Sequence, residues 1–591
     1  MDAPSINFIA IIAAATVPFV LSILSVFSSK TRVREIEGYF LYDRQLDIDS
    51  FLKTTIGYSL QVASVALLFY WTFTNGPAGS LAVALAWTAG YLLLARVVGR
   101  GKLNAFLLNK SAETVHGFIG ERTAAPSKRL VKLSILAVAF ASIIGLGGTM
   151  MTEVDYSTQF FLSSVGVTSG TIGSRLVIEL VIIIFIAIYV LWGGYKASVF
   201  TDRYQVPIAY VAFSIFGFGE AAQAKHLGPG HGISLVVSIM GILLAILFVR
   251  RIKLLLQVSP DDSRDMLTAL LTFVPILVLA GAVLFYLRQV PGQWSITALW
   301  GQIWQNNNSF LGFGVWGFLA LMFANGVWQF IDISGFQRLQ SLDKEELATN
   351  IQKIAKTIKY TGIEAGIGWA LIIFTAVILR MIGLTNDNFL IPLSSDLSAM
   401  FLVPIFIFTV SVYMHSTIAC FMSALSYISY YDIVPKIINI KALEPRLDVR
   451  LGAARVTTAL VVAVLFFLYV VLRTVVPEEA IPAVLFGIYA FQITIMPSAI
   501  LALFFPSVRL HPSAIIGSIS VGMVIALISA VYKEAWPIFG TLGMDENSWT
   551  VIPPLASALT ACLVYASIHQ AIWLWRARRA WLWKARKTRR V

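Results

Sequence analysis

The chain has 591 residues, of which 58% are hydrophobic and only 13% are charged, and it carries a net charge of +13. A soluble protein of this length needs far more charge on its surface, so the composition excludes a water-soluble fold. The chain is therefore expected to lie in a membrane, and its polar residues there need an explanation.

Apolar runs of about 20 residues, the length that crosses the hydrocarbon core of a bilayer, recur along the whole chain. We count about fifteen of them and predict a transmembrane helix for each, which makes the fold class an all-α polytopic membrane protein. In chain order the predicted helices lie at 6–28, 51–74, 79–98, 131–151, 174–194, 201–220, 231–250, 266–287, 310–330, 361–382, 400–428, 454–474, 481–505, 513–532 and 551–575.

The basic residues indicate how these helices are oriented. With the connections after odd-numbered helices and the C-terminus assigned to the cytoplasm, 38 of the 44 Lys and Arg residues fall on the cytoplasmic side. This bias predicts an N-terminus outside and a cytoplasmic C-terminus in the plasma (inner) membrane. The positive charge therefore needs no nucleic acid as a partner. We expect the basic, Trp-containing tail at 576–590 to lie on the anionic inner leaflet, and a protein-binding tail is the alternative.

The longest loop, at about 97–130, is too short for a soluble catalytic domain. The sequence also has no Walker A stretch, no metal-spaced cluster of His and Cys and no kinase signature. Cys420 and Cys562 both fall inside predicted helices, so they do not suggest a disulfide framework. We therefore expect that the protein is not an enzyme and binds no organic cofactor. Polar residues at membrane depth then become the guide to function.

Three polar stretches interrupt the apolar pattern. In IYVLWGGYKASVFTDRYQV, two glycines separate two predicted helices and Asp202 opens the second one. In LMFANGVWQFIDISGFQRLQ, a predicted helix holds Asn325, Trp328 and Gln329 and runs into a Gln-Arg pair. In MHSTIACFMSALSYISYYDIV, a histidine, a Ser-Thr pair, further serines and an aspartate follow one another along a single helix.

Together these stretches resemble the sodium:solute symporter family. The resemblance runs from about residue 30 to 505, in the order and at the positions in the topology that the family shows. The matching residues are Tyr189, Gly193, Gly194, Ala197, Thr201, Asp202 and Gln205 in the first stretch, Gln337 and Arg338 in the second, and Ser416, Thr417, Ser426, Asp432 and Ile433 in the third.

The resemblance implies a fold of two five-helix repeats of inverted topology, the leucine-transporter type. An inserted pair of helices departs from the family pattern, but a pair preserves the sidedness of everything that follows. The implied segments are an N-terminal peripheral helix and cytoplasmic loop at 1–50, the first repeat at 51–220, the inserted two-helix segment at 221–309, the second repeat at 310–505, and C-terminal peripheral helices with the basic tail at 506–591.

The resemblance also implies a sodium ion as the coupling ion. In the family this ion lies between the broken first helix of one repeat and the third helix of the other. When the ion ligands of the family are carried over to this sequence, the third helix is implied to supply the hydroxyls of Ser416 and Thr417 and the carbonyl of Tyr413. Hydroxyls in membrane helices also bond back to the preceding turn or hold helices together, so a helix seam is the alternative.

The broken helix is implied to supply the carbonyls of Leu60 and Ala63. An offset of three residues, to Ala63 and Ala66, stays open, because nothing in the span beyond Gly57 indicates where the helix is interrupted.

Further roles follow from the same resemblance. Asp202 matches an acidic residue on the route by which sodium leaves, and the alternative is an N-cap for the helix that begins at 203. Asn325, with Gln329 beside it, falls where family members contact substrate, and Trp328 falls at their aromatic inner gate. His415 could couple a proton, but a neutral, hydrogen-bonded histidine is the more common case.

The expected function is secondary active transport, with sodium-coupled symport of a small organic solute by alternating access. The apolar segment VALLFYW at 65–71 disfavours a sugar, whose hydroxyls need partners, and leaves an organic anion, an amino acid or another compact solute. A transporter-like sensor or partner subunit of a signalling system and a proton-coupled carrier are the alternatives. The oligomeric state is left open.

Overall fold

A computed structural model describes most of the chain. The described residues are 3–26, 33–109, 113–124, 127–167, 172–223, 314–381, 384, 401–437, 447–476, 481–505, 507–531 and 552–588, with short pieces at 236, 239–244 and 246–247. Within these residues the backbone is helical, and its β-pairing consists of two isolated bridges. The predicted helix at 266–287 lies outside the described residues, and so does most of the one at 231–250.

Twenty α-helices make up the described part of the fold. In chain order they are α1 Ala3–Val26, α2 Ile36–Leu41, α3 Ile48–Ser59, α4 Val62–Asn75, α5 Pro77–Gly99, α6 Asn104–Leu107, α7 Val115–Glu121, α8 Lys128–Ser164, α9 Ile172–Gln223, α10 Gly314–Trp328, α11 Ile333–Ser341, α12 Lys344–Thr349, α13 Ile351–Met381, α14 Val403–Ile428, α15 Val434–Ile437, α16 Leu447–Val475, α17 Ile481–Ile493, α18 Met496–Phe504, α19 Pro512–Val531 and α20 Ile552–Thr588.

Among the described residues, 9 helices are long and apolar enough to cross a membrane, and a bent pair formed by α3 and α4 makes a tenth. The chain is thus a multi-pass membrane protein. The predicted helix at 6–28 corresponds to α1, in which Phe8–Leu24 is a shorter apolar stretch that is not counted among the nine. The count of about fifteen and the arrangement in two repeats stay predictions.

The long helix α9 changes direction at Gly194. Its backbone there has φ 56° and ψ −155°, outside the helical region. A side chain at this position would place its Cβ 2.5 Å from the carbonyl oxygen of Tyr39, so only glycine fits. The glycine pair in the sequence therefore marks a real change of direction within α9.

The break between α3 and α4 has a different origin. The two helices meet at 47°, and Leu60 (φ −95°, ψ 69°) and the extended Gln61 lie between them. The carboxylate of Glu153, on α8, accepts hydrogen bonds from the backbone N–H groups of Val62 and Ala63, at 2.7 and 3.1 Å. These bonds satisfy groups that a helix start leaves without partners, so a side chain from another helix stabilises the break.

The helix α14 is the most enclosed element of the described fold. It packs against α1, α3, α4, α8, α9 and α16, and nearly all its residues are buried. Its hydroxyl groups therefore face protein on every side. The two halves of the broken helix, α3 and α4, both contact α14.

Candidate functional site

Asp202 joins three helices in the middle of the fold. Its two carboxylate oxygens accept hydrogen bonds from the hydroxyls of Thr54 on α3 and Ser416 on α14, each at 2.6 Å. Asp202 is completely buried, and it lies inside the part of α9 that follows the change of direction at Gly194. It is therefore not the N-cap that the sequence offered as an alternative, and its role is to connect α9 with α3 and α14.

The hydroxyls of Ser416 and Thr417 differ from other hydroxyls on α14. Thr409 and Ser426 bond back to carbonyls of the preceding turn, at 2.8 and 2.6 Å. Ser416 instead directs its proton to Asp202, and the buried hydroxyl of Thr417 has no hydrogen-bond partner among the described residues. A hydroxyl oxygen has two lone pairs, so both residues offer oxygens that a hard cation could bind.

The other residues carried over to the sodium site lie as follows. Tyr413 is buried one turn before Ser416 on α14. Leu60 lies at the helix break itself, and Ala63 lies in the first turn of α4. Ala66, which belongs to the alternative offset, lies almost one further turn into α4, so the break coincides with the first of the two offsets.

Two further charged residues lie near this site. Asp332 accepts hydrogen bonds from the hydroxyl of Tyr58 and from the N–H of Ser334, both at 3.0 Å. Arg338 is completely buried, and its guanidinium lies over the ring of Tyr58 at 4.2 Å from the centroid. The positive charge of Arg338 acts on both Asp202 and Asp332, and with both carboxylates ionised these three residues carry one net negative charge.

A cavity of about 100 Å³ lies beside the helix break. Its walls come from α4, α5, α8, α10, α13, α17 and α20. Two stacked pairs of rings form much of the wall, with 5.0 Å between the ring centroids of Trp87 and Trp369 and 4.7 Å between those of Trp328 and Tyr489. Trp71 adds a fifth ring. The indole N–H of Trp369 also donates to the carbonyl of Ser59 at the end of α3, at 2.8 Å.

The polar part of the cavity wall is uncharged. The described polar residues that line it are Gln61 from the helix break, Ser64 from α4, Thr149 and Thr152 from α8, and Asn325 from α10. None of the lining residues in the described part of the chain is acidic or basic. The cavity therefore combines aromatic faces with a few neutral hydrogen-bonding groups, which is typical of a site for a small molecule.

The three residues predicted to contact the solute do not all lie in this cavity. Asn325 and Trp328 line it. Gln329 is buried beside α5 instead, where a Cβ on Gly90 would approach its Cγ to 3.0 Å, and it is not part of the cavity wall.

His415 faces another part of the molecule. Its Nδ1 lies 3.4 Å from the hydroxyl of Ser22 on α1, and its ring packs edge-on against Phe19 and Tyr189. It does not line the cavity. This environment is that of a hydrogen-bonded core histidine.

Glu153 is a buried acidic residue at the candidate site that the sequence reasoning missed. The predicted helix ended at 151, whereas α8 continues to Ser164 and carries Glu153 deep in the protein, completely buried. An ionisable residue at membrane depth is a general signal for a functional site. Ending the helix too early placed Glu153 in a loop and removed that signal.

The fold and the site define a class: polytopic helical membrane proteins with an interrupted helix beside a central cavity. Comparison with known proteins gives no match to a family model and no match to a curated protein. Among solved structures, the chain is similar to a Na⁺-coupled sialic acid symporter in a substrate-bound outward-open state. The TM-score is 0.53 at 12% sequence identity, and the match covers 95% of this chain and 97% of the symporter chain. The two proteins thus share a fold.

Proposed function

We propose that the protein is a secondary active transporter that couples the movement of a small organic solute to sodium by alternating access. The observation that carries this proposal is the state of Ser416 and Thr417, whose oxygens are not used by their own helix, on a helix that packs against both halves of the broken helix. The shared fold with a Na⁺-coupled symporter supports it.

The oxygens available in this region suit a sodium ion. Sodium bound within a membrane transporter is held by unwound carbonyls and side-chain oxygens of broken helices and their neighbours. We assign the hydroxyls of Ser416 and Thr417 and the carbonyls of Tyr413, Leu60 and Ala63 as ligands. Because Ser416 donates its proton to Asp202, its lone pairs are directed away from that carboxylate and remain available to the ion.

Charge balance favours a monovalent cation in the same region. Asp202, Asp332 and Arg338 are all buried, and with both carboxylates ionised they carry one net negative charge. An uncompensated charge at membrane depth is costly, so a bound sodium ion would lower the free energy of this region. The ion would leave toward the cytoplasm past Asp202.

Coupling requires that sodium bind one conformation more tightly than the other. Trp328, which stacks on Tyr489 at one wall of the cavity, is assigned as the inner gate for the solute. The same proposal includes the topology and the repeats. The N-terminus lies outside and the C-terminus in the cytoplasm, the inverted repeats span 51–220 and 310–505, and the basic tail contacts anionic lipid.

Sodium itself is the first probe, because it needs no knowledge of the solute. We expect sodium chloride, but not potassium chloride, to raise the thermal midpoint of the purified full-length protein and to compete with bound radioactive sodium. Replacing both Ser416 and Thr417 by alanine should weaken sodium binding at least about tenfold, since two ligands are lost. The matched control is the double variant Thr409→Ala and Ser426→Ala, whose hydroxyls bond to their own helix.

Uptake into proteoliposomes then distinguishes the functions. Accumulation of solutes from a broad panel should require an inward sodium gradient. Uptake that persists without sodium and stops with an uncoupler would identify a proton-coupled carrier. Solute binding without uptake would identify a sensor or partner subunit.

A further inference from the structure

We propose that the cavity selects a compact solute with an ammonium group, and that Glu153 sets this preference together with the aromatic wall. The inference rests on the proposed function, because it names the solute class for the same cavity. Three observations carry it. Aromatic rings form much of the cavity wall, the described lining residues include no Lys or Arg, and the carboxylate of Glu153 occupies the N-terminus of α4.

The aromatic wall attracts positive charge. Five rings from five different helices line the cavity, namely those of Trp71, Trp87, Trp328, Trp369 and Tyr489. The face of an aromatic ring carries partial negative charge, and an ammonium group over several such faces is held by cation–π attraction. Trp is the strongest of the side chains in this respect, and four of the five rings are Trp.

The start of α4 does not serve as an anion site, although a helix N-terminus usually attracts anions. Glu153 already accepts hydrogen bonds from the N–H groups of Val62 and Ala63 at this end. A full negative charge more than offsets the partial positive charge of a helix N-terminus, which amounts to about half an elementary charge. With Glu153 ionised, the helix end therefore presents negative potential to the cavity.

Glu153 lies directly behind the cavity wall. Ala63, which donates to its carboxylate, and Thr152, its neighbour in the chain, both line the cavity. Among the described lining residues there is no Lys or Arg to hold a carboxylate of the solute. An organic anion would meet repulsion without a partner, whereas an ammonium group would meet attraction from the rings and from Glu153. Of the solutes left open by the sequence, a compact cation or a zwitterion bound through its ammonium end fits best.

Glu153 also has a structural role at the helix break, so the test needs a measurement that this role does not affect. Three probes of nearly equal shape provide it: choline, the uncharged alcohol in which a tert-butyl group replaces the trimethylammonium group, and dimethylbutanoate, which pairs a tert-butyl group with a carboxylate. Binding of each to the full-length protein in lipid nanodiscs is measured by calorimetry, in sodium chloride and in potassium chloride.

We expect choline to bind at least about tenfold more tightly than the alcohol, and dimethylbutanoate to bind more weakly than either. Equal or tighter binding of the alcohol or of dimethylbutanoate by the wild-type protein would overturn the proposal. This order is measured without any variant, so it decides the question even if changes at Glu153 prevent folding.

Variants then assign the preference to residues. Glu153→Gln should lower choline affinity about tenfold and leave the affinity for the alcohol within about twofold. Trp87→Leu should also weaken choline binding, whereas Trp192→Leu should not, because Trp192 is 58% exposed on α9. An equal loss for choline and the alcohol in Glu153→Gln would show that Glu153 only supports the helix break, and would overturn its assigned role.

Measurements in sodium chloride and in potassium chloride distinguish a failure of this inference from a failure of the proposed function. If the order of the three probes holds but sodium and potassium give the same affinities, sodium coupling fails and the ammonium preference stands. If sodium stabilises the protein but the alcohol binds as well as choline, sodium coupling stands and the ammonium preference fails.

Discussion

Two buried acidic clusters in this protein differ in how their charge is balanced. In the Asp155 cluster, Asp155 and Glu179 meet Arg175 and Arg473, with 2.7 Å between Arg175 and Asp155 and 3.6 Å between Arg473 and Glu179. The hydroxyl of Tyr469 lies among them. Two acidic and two basic side chains leave this cluster neutral.

The Asp202 cluster, formed by Asp202 with Thr54 and Ser416, contains hydroxyl partners and no basic one. With Asp332 and Arg338 included and both carboxylates ionised, one negative charge remains. The comparison indicates that a neutral network ties helices together permanently, whereas an unbalanced one is suited to a mobile cation. Three variants test this difference.

The largest effect is expected in the Asp155 cluster. Arg473→Leu leaves two buried carboxylates with one arginine, and removing one partner from a buried charge network costs about 3–5 kcal/mol. We expect a lower thermal midpoint and poor yield, by the same amount with and without sodium. Arg455→Leu, at a less buried position on α16, is the matched control. A sodium-dependent effect of Arg473→Leu would contradict the division between the two clusters.

In the Asp202 cluster, we expect Asp202→Asn to change stability little and sodium binding strongly, the opposite of Arg473→Leu. Because it removes an unbalanced buried charge, stability in potassium chloride should change by no more than about 1 kcal/mol. Sodium binding should weaken at least about tenfold, since the negative charge that favours the ion is gone. Thermal midpoints in the two salts and competition with radioactive sodium measure both quantities. A large loss of stability in potassium chloride would contradict this, because it would show that Asp202 holds helices together in the way that the Asp155 cluster does.

The smallest effect is expected for Thr417→Val, which removes a hydroxyl and keeps the shape of the side chain. Loss of a buried hydroxyl without a partner should leave stability unchanged or raise it by up to about 1 kcal/mol. Sodium affinity should fall about fivefold, because one ligand of several is lost. Thr409→Val, which removes a hydroxyl bonded to Ile405, should lower stability slightly and leave sodium affinity unchanged.

Features that depend on local sequence were predictable. Most of the helix positions follow from apolar runs, and the change of direction in α9 is visible because Gly194 has a backbone conformation that only glycine adopts freely. The hydroxyl pair at Ser416 and Thr417 was found because polar residues stand out in an apolar helix. In each of these cases the residues that indicate the feature belong to the same segment as the feature itself.

Features that depend on other helices were not predictable. The break at Leu60 has no proline or glycine, and its partners are Glu153 on α8 and Trp369 on α13. The aromatic wall is equally hidden, since its rings come from helices that are far apart in the chain. The resemblance to symporters left two offsets open for the break, and the fold supplied its position and its cause.

The last helix links two environments. Pro554, near the start of α20, forms part of the cavity wall, while the Arg- and Trp-rich end of the same helix is exposed. At 37 residues this helix is about 55 Å long, well beyond the thickness of the hydrocarbon core. A load applied at its exposed end therefore acts on a helix that also forms part of the cavity wall, so purification tags and tethers belong at the other terminus.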